Sequence, residues 1–456
     1  MYSSVVIRPL EEHDAEISYK WRNDAEVWKH TGSRPNIEIT REIELQWIQK
    51  AIADESCRRF AIICDDNYVG NVQLTSITST SAEFHIFIGE KSFWGKGLAK
   101  QATYQILHYA KEELKLNNVF LSVKKDNISA VQAYLRTSFK ISSEEVDGWI
   151  KMSCDLAILQ PPMLSVFVMV YNHEKYLEKC LQGILMQKCN FNYNIVVGDD
   201  CSKDKSREIL LNFQKKYPGK FKLFLNNTNI GAQKNQDLVF KNCEGKYIAM
   251  CEGDDYWTNP LKLQKQVDFL EANQKYSICF HSVTIDNLIL NSKYPEKAAE
   301  GRDYTIDELL LTKTAHTVSF VFKKEFLNIN LFLNENIFAG DVFLILMMAD
   351  SGFVFGMIDD MAIYRIHSMG ISNFDAERLG IVHHKRFINQ YIFFKKTFNT
   401  LEKKAVNLKI VDHCMTVAQY YLKRRELQAL KYVALALYYR PDLISKGFGK
   451  LIKYNA

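Results

Sequence analysis

The sequence predicts an α/β protein with a helical C-terminal region, on three observations. Residues 165 to about 285 alternate buried strand-like runs with amphipathic helix-like runs, which is the mark of a parallel sheet with crossover helices. The first 157 residues alternate in a similar way but are separated from that stretch by 158-ILQPPML-164. There Pro161 and Pro162 can continue neither a helix nor a central strand. Beyond about Asp375 the periodicity becomes helical and stays so, with a break at 440-RPD-442. The expected division is therefore 1–157, 163–375 and 376–456.

Length and composition agree. A chain of 456 residues is too long for one core, and 47% hydrophobic with 24% charged residues describes a folded protein and not a disordered one. The N-terminus, 1-MYSSVVIRPLEEHD-14, becomes charged at once and does not read as a signal peptide. The longest apolar candidate, 432-YVALALYY-439, is shorter than the ~18 residues of a membrane span. Ten cysteines lie scattered without a C-x-x-C, as expected of reduced packing residues in a cytosolic chain. Charge is uneven. Residues 376–456 hold 16 Lys and Arg against 5 Asp and Glu, a surplus of eleven, so the rest of this +5 chain carries about six net negative charges. A basic tail with interleaved aromatics fits an anionic lipid surface or a solvated helical face. No nucleic-acid-binding motif accompanies it, so nucleic acid is not an expected partner.

In the first region, the strand-like 82-AEFHIFIGE-90 runs into 91-KSFWGKGLAKQATYQILHYAKEEL-114. Strand, turn with Gly95 and Gly97, then helix is an arrangement that presents uncapped N–H groups, a natural pyrophosphate cradle. It matches neither G-x-G-x-x-G nor the P-loop, which argues against a dinucleotide or ATP site. Glu83 and His85 share one face of the strand that leads to this turn. Either could accept a proton, though a plain sheet-surface role is the commoner one.

In the second region, 194-NIVVGDDCSKDKS-206 ends a buried strand in Asp199-Asp200. Further on, 247-YIAM-250 is followed by 251-CEGDDYWTNP-260 with Asp254-Asp255. Ligands of open α/β sheets bind beyond the carboxyl ends of strands. Two acidic pairs at two such ends suit a nucleotide diphosphate. One pair accepts hydrogen bonds from base and ribose, and the other holds Mg²⁺ or Mn²⁺, hard ions that prefer oxygen ligands. Each pair alone could be a helix cap or a solvated turn.

Residues 163 to about 372 resemble glycosyltransferase family 2, with the GT-A fold. The resemblance rests on "SVFVMVYNHEKYLEKCLQGILMQ", "NIVVGDDCSKDKSREIL", "NIGAQKNQDLVFKNCEGKYIAMCEGDDYW" and "FAGDVFLILMMAD". It implies that Asp200 and Asp199 contact base and ribose, and that Asp254 and Asp255 form a D-x-D-type metal site, with Glu252 where many members have aspartate. It further implies Asp341 as the base for the acceptor hydroxyl in an inverting displacement, where the plain alternative is a helix N-cap. His367 falls where some GT-A enzymes place a histidine near metal or phosphate; the plain alternative is a surface histidine.

Residues 3 to about 156 resemble the GNAT acetyltransferases, through the Gly95–Gly97 turn, 119-VFLSVKKDNISAVQAYLRTSF-139 and the opening "VIRPLEEHDAEISYKWRND". The resemblance implies acetyl-CoA at Trp94, Gly95, Lys96, Gly97, Leu98 and Ala99, Asn127 beside the pantetheine arm, and Tyr134 as proton donor to the departing thiolate. Ser92 replaces the usual Arg or Gln, and Ser138 the usual Gly. The segment 21–49 resembles, more loosely, members that acetylate nucleotide-linked amino sugars.

The expected whole is a bifunctional cytosolic enzyme of bacterial surface-glycan synthesis. It would N-acetylate a nucleotide-linked amino sugar and then transfer a sugar to a glycan or lipid-linked acceptor. Peripheral membrane contact would run through the basic segments 384–396 and 446–455. The alternative is an acetyltransferase domain that acts on an unrelated amine, such as a protein N-terminus, or only binds CoA.

Overall fold

A computed structural model describes residues 3–29, 36–296, 299–312, 315–370 and 376–443. The chain forms two compact units, Met1–Asn229 with Asn242–Lys246, and Ile230–Lys241 with Tyr247–Ala456. The segment around Pro161-Pro162 lies inside the first unit.

The first unit opens with a seven-stranded sheet. Its strands are β1 (Val5–Pro9), β2 (Arg58–Cys64), β3 (Asn67–Thr75), β4 (Ser81–Ile88), β5 (Asn118–Lys124), β6 (Lys140–Val146) and β7 (Trp149–Asp155), in the order β1-β2-β3-β4-β5-β7-β6. Only β4 and β5 run parallel, and they pair over just Ser81–Glu83 on β4. Past Glu83 the two strands part, so the backbone of 84–88 has no partner strand on that side. Helices α1 (Ala15–Asn23) and α2 (Arg41–Ala53) go with one face of the sheet, where Trp21 packs on Tyr68 and Phe87. Helices α3 (Leu98–Glu112) and α4 (Ile128–Leu135) cover the other face, around Phe84, Leu121 and Phe139. Alternation along β4 explains the split: Phe84 faces the α3–α4 core, while Glu83, His85 and Phe87 face the opposite way.

The same unit continues with β8 (Leu164–Val170), α5 (Leu177–Leu185), β9 (Tyr193–Asp199), α6 (Ser206–Lys216) and β10 (Phe221–Leu225). The three strands are parallel, in the order β10-β9-β8. All seven residues of β9 are buried, the near-continuous apolar reading of a strand covered on both faces.

A seam joins these strands to the first sheet. Ser3 bridges Cys189, the Ser4 hydroxyl donates to the Leu185 carbonyl (2.9 Å), and the Gln101 amide donates to the Cys189 carbonyl (3.1 Å). Gly219 sits at φ +69 against α3, and a Cβ there would fall 2.0 Å from the Gln105 carbonyl oxygen. Its N–H donates to Glu113 (3.0 Å). Nearby, His108, Asn194, Lys220 and Glu244 line one small polar cavity. His108 lies tilted against Tyr104 and is 7% exposed; among the described residues its Nε2 has no hydrogen-bond partner, and neither has Asn194 Oδ1. Burial lowers the His108 pKa to about 4.

The second unit contains α7 (Ala232–Asn242), β11 (Tyr247–Met250), β12 (Tyr256–Trp257), α8 (Lys262–Ala272), β13 (Tyr276–Asn287), β14 (Ser292–Glu296), β15 (Arg302–Tyr304), α9 (Ile306–Thr312), β16 (Val321–Lys323), α10 (Ile329–Phe332), α11 (Gly340–Ser351) and β17 (Phe353–Ile366). Its sheet order is β11-β16-β13-β17-β12, with β14 on β13 and β15 on β17. Three helices follow: α12 (Ala376–Thr397), α13 (Lys403–Lys423) and α14 (Gln428–Tyr439). The aromatic side of α12 is used inside the fold. Tyr391 and Phe394 are buried, and Phe394 stacks on Phe343 of α11. Segment 446–455 lies outside the described residues.

All ten cysteines are free thiols and nine are buried, which fits packing residues. Among the described residues no helix is long and apolar enough to cross a membrane.

Candidate functional site

The turn after β4 places Gly95 at φ +74 and Gly97 at φ +79, conformations that glycine adopts without steric cost. Gly97 is the N-cap of α3 and offers no side-chain cap to its N–H groups. The first four N–H groups of a helix lack intrahelical acceptors, so Leu98 and Ala99 present theirs at the positive end of the helix dipole. A Cβ on either glycine would meet nothing within 4 Å, so the turn is open. Trp94 is 40% exposed and is pinned by its indole N–H, which donates to the Ile88 carbonyl (2.8 Å); Lys96 is exposed beside Phe93.

Asn127 is the N-cap of α4. Its Oδ1 accepts from Ala130 N (3.3 Å) and from Ser129 Oγ (3.1 Å), which leaves its amide nitrogen outside the cap. Tyr134, on the same helix, packs edge-on against Phe84 with ring centroids 5.9 Å apart. Burial pushes its phenol up to about 12, so it stays protonated and able to donate at neutral pH. Ser138, which stands where the family has glycine, sits at φ +73. The backbone keeps the left-handed turn even though the residue is not glycine.

On the other face of β4, His85 Nε2 lies 3.0 Å from Thr75 Oγ1 and 3.7 Å from Glu83. Burial lowers the His85 pKa, with the Glu83 charge opposing, so a neutral imidazole prevails at pH 7. Tyr134 and His85 thus flank the opening between β4 and β5 from opposite faces of the sheet. Donor on one face and acceptor on the other is a workable pairing for acyl transfer to an amine.

At the ends of β8 and β9, two loops fasten to each other. Asn172 N donates to Ser202 Oγ (2.9 Å), Lys203 N to Asn172 Oδ1 (2.8 Å), and Lys205 N to Glu174 (3.0 Å). Asp199 and Asp200, adjacent in sequence, have separate surroundings. Asp199 is fully buried and spends its carboxylate on Arg207 (2.8 Å) and Ser202 N (3.3 Å). Asp200 follows at the end of the strand, its N–H held by the Val170 carbonyl (3.0 Å).

In the second unit, β11 ends in the loop 251–255, which brings three carboxylates together. Asp255 is 2% exposed, and its Oδ1 accepts from Arg365 N (2.7 Å). The Arg365 guanidinium donates to the Asp254 carbonyl (2.6 Å) and lies over the Tyr256 ring. Asp254 turns its carboxylate to His367 Nε2 (3.0 Å), and Thr317 donates to Glu252 (2.8 Å). His367 is 3% exposed, so it is not a surface histidine. Burial, then the charge of Asp254, raises Glu252 to about 7; burial, then Asp254 and Glu252, raises Asp255. Carboxylates crowded into one buried pocket resist ionising together, a repulsion that a bound cation would relieve.

Among the described residues, no group of three or more His, Cys, Asp or Glu is arranged to hold a metal by itself. The protein offers Asp254 with His367 as a partial set. Hard cations at nucleotide sites commonly take one or two carboxylates and complete their shell with phosphate oxygens and water, so the residues present fit such an ion.

Asp341 is the second residue of α11 and is exposed. It is not the N-cap. That position is Ala339, which has no side-chain cap; Gln390 of α12 accepts from Phe338 N (2.6 Å) and Ala339 N (2.7 Å), just ahead of the first turn. The Asp341 carboxylate is close enough for its charge to contribute to the raised Glu252. The sequence reading missed Thr317, Arg365 and Gln390. Nothing in 314-TAHTVSF-320 or 364-YRIH-367 sets a carboxylate tether apart from ordinary strand-end residues.

Comparison with known proteins agrees with this layout. Residues 4–140 match the Acetyltransferase (GNAT) domain, and residues 165–336 match Glycosyl transferase family 2. An uncharacterized protein of Mycobacterium tuberculosis, Rv1520, is 33% identical over 210 residues, which is 46% of this chain and 60% of that protein. Spermidine N(1)-acetyltransferase of Escherichia coli is 33% identical over 143 residues, 31% of this chain and 75% of that enzyme. The crystal structure of Staphylococcus aureus TarS 1-349 covers 60% of this chain and 78% of its own, at 16% identity and a TM-score of 0.45. The chain belongs to the GNAT acetyltransferases through its N-terminal domain and carries a glycosyltransferase family 2 domain after it.

Proposed function

We propose that this fusion is a bifunctional enzyme of bacterial surface-glycan synthesis. The first domain moves acetyl from acetyl-CoA to the amine of a nucleotide-linked amino sugar. The second passes a sugar from a nucleotide diphosphate to a glycan or lipid-linked hydroxyl, with inversion. Joining two consecutive steps in one chain raises the effective concentration of the shared intermediate. The observation that carries the reading is the 251–255 carboxylate pocket with His367, in a chain whose other domain has an open, uncapped α3 turn.

In the acetyl step, the α3 N–H groups cradle the pyrophosphate of CoA, His85, with Glu83 beside it, takes the proton of the amine, and Tyr134 returns one to the thiolate. In the sugar step, Asp200 receives base and ribose, while Asp199 holds the loop through Arg207. Asp254, oriented by His367, would hold Mg²⁺ or Mn²⁺, with Asp255 buried behind it; the ion supplies charge neutralisation for the leaving diphosphate. Asp341 accepts the proton of the acceptor hydroxyl. On this reading the protein works in the cytoplasm.

One relative is named for spermidine, which favours a second reading in which the first domain acetylates a polyamine or another unrelated amine, or only binds CoA. Thiol release from acetyl-CoA should be measured against nucleotide-linked amino sugars, polyamines and peptide amines. Turnover confined to one nucleotide sugar supports the coupled pathway and identifies its donor. Turnover only on polyamines or peptides, or none, refutes it and leaves the glycosyltransferase half standing.

A further inference from the structure

Helices α13 and α14 form a hairpin whose inner side is closed: Ala429, Tyr432 and Ala436 are buried, and Tyr432 stacks on Tyr421. Its tip is the opposite. Leu422, Leu427 and Leu430 are 46%, 84% and 64% exposed. Lys423, Arg424, Arg425 and Lys431 are exposed around them. Among the described residues none of these four is in an ion pair, and Glu426 is the one acidic residue between Asp412 and Asp442.

The turn is built around one of these charges. Arg425 N donates to the Leu422 carbonyl (3.0 Å) and Glu426 N to the Tyr421 carbonyl (3.0 Å), the paired bonds of a Schellman ending. Arg425 itself sits at φ +57, the left-handed position that glycine occupies without steric cost. An arginine there puts a cation at the apex of the hairpin at some conformational expense.

We propose that this tip, residues 422–431, docks on an anionic lipid bilayer. Exposed leucines interleaved with cations that form no ion pair among the described residues match an interface that is apolar a few ångströms in and negative at its surface. Nucleic acid would use the cations and leave the leucines in water. The basic segment 384–396 has Tyr391 and Phe394 packed in the fold, so the tip is the better-equipped surface.

The test is co-sedimentation of the full chain with vesicles of phosphatidylcholine, alone or mixed with phosphatidylglycerol, while thermal stability is followed in parallel. Binding should require the anionic lipid and weaken with salt. Arg425→Gly should lower it roughly fivefold, as should each further neutralisation among Lys423, Arg424 and Lys431. It should not lower the melting temperature, because glycine suits the turn. Leu427→Glu with Leu430→Glu should lower binding at least about tenfold. No binding to anionic vesicles would overturn the proposal. So would binding that these variants leave intact, or binding abolished by the charge changes but indifferent to the leucine changes. None of these readouts depends on either catalytic assignment.

Discussion

His108 sets a measurable penalty on the first unit in acid. It is buried and neutral, its Nε2 has no partner among the described residues, and its pKa stands near 4 against an ordinary value of 6.5, because burial disfavours the charged form. Between these two values the unfolded chain binds a proton that the folded chain refuses. Stability therefore falls as pH drops through 6.5, and the loss is complete below about 4. At about 1.4 kcal/mol per pH unit, the native protein should lose about 2 kcal/mol through this residue between pH 7 and pH 5, and about 3 kcal/mol at the limit. For a domain of roughly 150–250 residues, 2 kcal/mol corresponds to about 4–8 °C in melting temperature. Other groups titrate over the same range, so the quantity to measure is a double difference. Calorimetric unfolding at pH 7 and pH 5 is compared between the native chain and His108→Phe, which keeps a ring against Tyr104 and removes the titrating group. The variant should resist acid better by that margin. If both lose the same number of degrees, His108 is not the acid-sensitive group and the seam is more hydrated than its burial implies.

Four further outcomes follow from the same reasoning. Asp255→Asn keeps an acceptor for Arg365 N but removes the carboxyl group behind Asp254; sugar transfer should fall by about 10² or more while thiol release from acetyl-CoA is unchanged. Tyr134→Phe should do the reverse, lowering acetyl transfer by about 10² with sugar transfer intact. Because burial lowers His85, the ascending limb of the acetyl-transfer pH profile should lie below 6.5, and His85→Ala should abolish that limb and not merely shift it. Gly219→Ala should cost at least about 3 kcal/mol by thermal unfolding, from a left-handed alanine and a lost bond to Glu113; a change under about 1 kcal/mol would show that the seam yields.

Much of this molecule is legible in its sequence, for a physical reason. Strand-end carboxylates and glycine turns are local: Asp254-Asp255 after 247-YIAM-250, and Gly95 and Gly97 before an amphipathic run, announce themselves within a dozen residues. The division of labour inside each constellation is not local. Asp199 and Asp200 read as an equivalent pair, yet Arg207 claims one of them. His367 resembles a surface residue until β17 carries it to Asp254. The proline pair at 161–162 marks a turn in the chain, but compactness is decided by contacts such as Gly219 with Glu113, more than a hundred residues apart. Asp341 shows the limit from the other side. A carboxylate at the start of a helix reads as a cap, yet Asp341 lies past the N-cap, and the chain entering the helix is held by Gln390, 51 residues away along the chain from Ala339.

The hydrogen bond from Arg365 N to Asp255 has a consequence for the order in which the protein becomes competent. Every group assigned to the acetyl site, from Glu83 to Tyr134, leaves the ribosome within a span of about fifty residues. The carboxylate pocket closes only when Arg365 of β17, 110 residues downstream of Asp255, has been made and laid into the sheet. During synthesis the nascent chain can thus carry a finished CoA turn while Asp254 and Asp255 still lack Arg365 and His367. A chain that stops before residue 365 would keep both aspartates of the motif and none of the tethers that aim them.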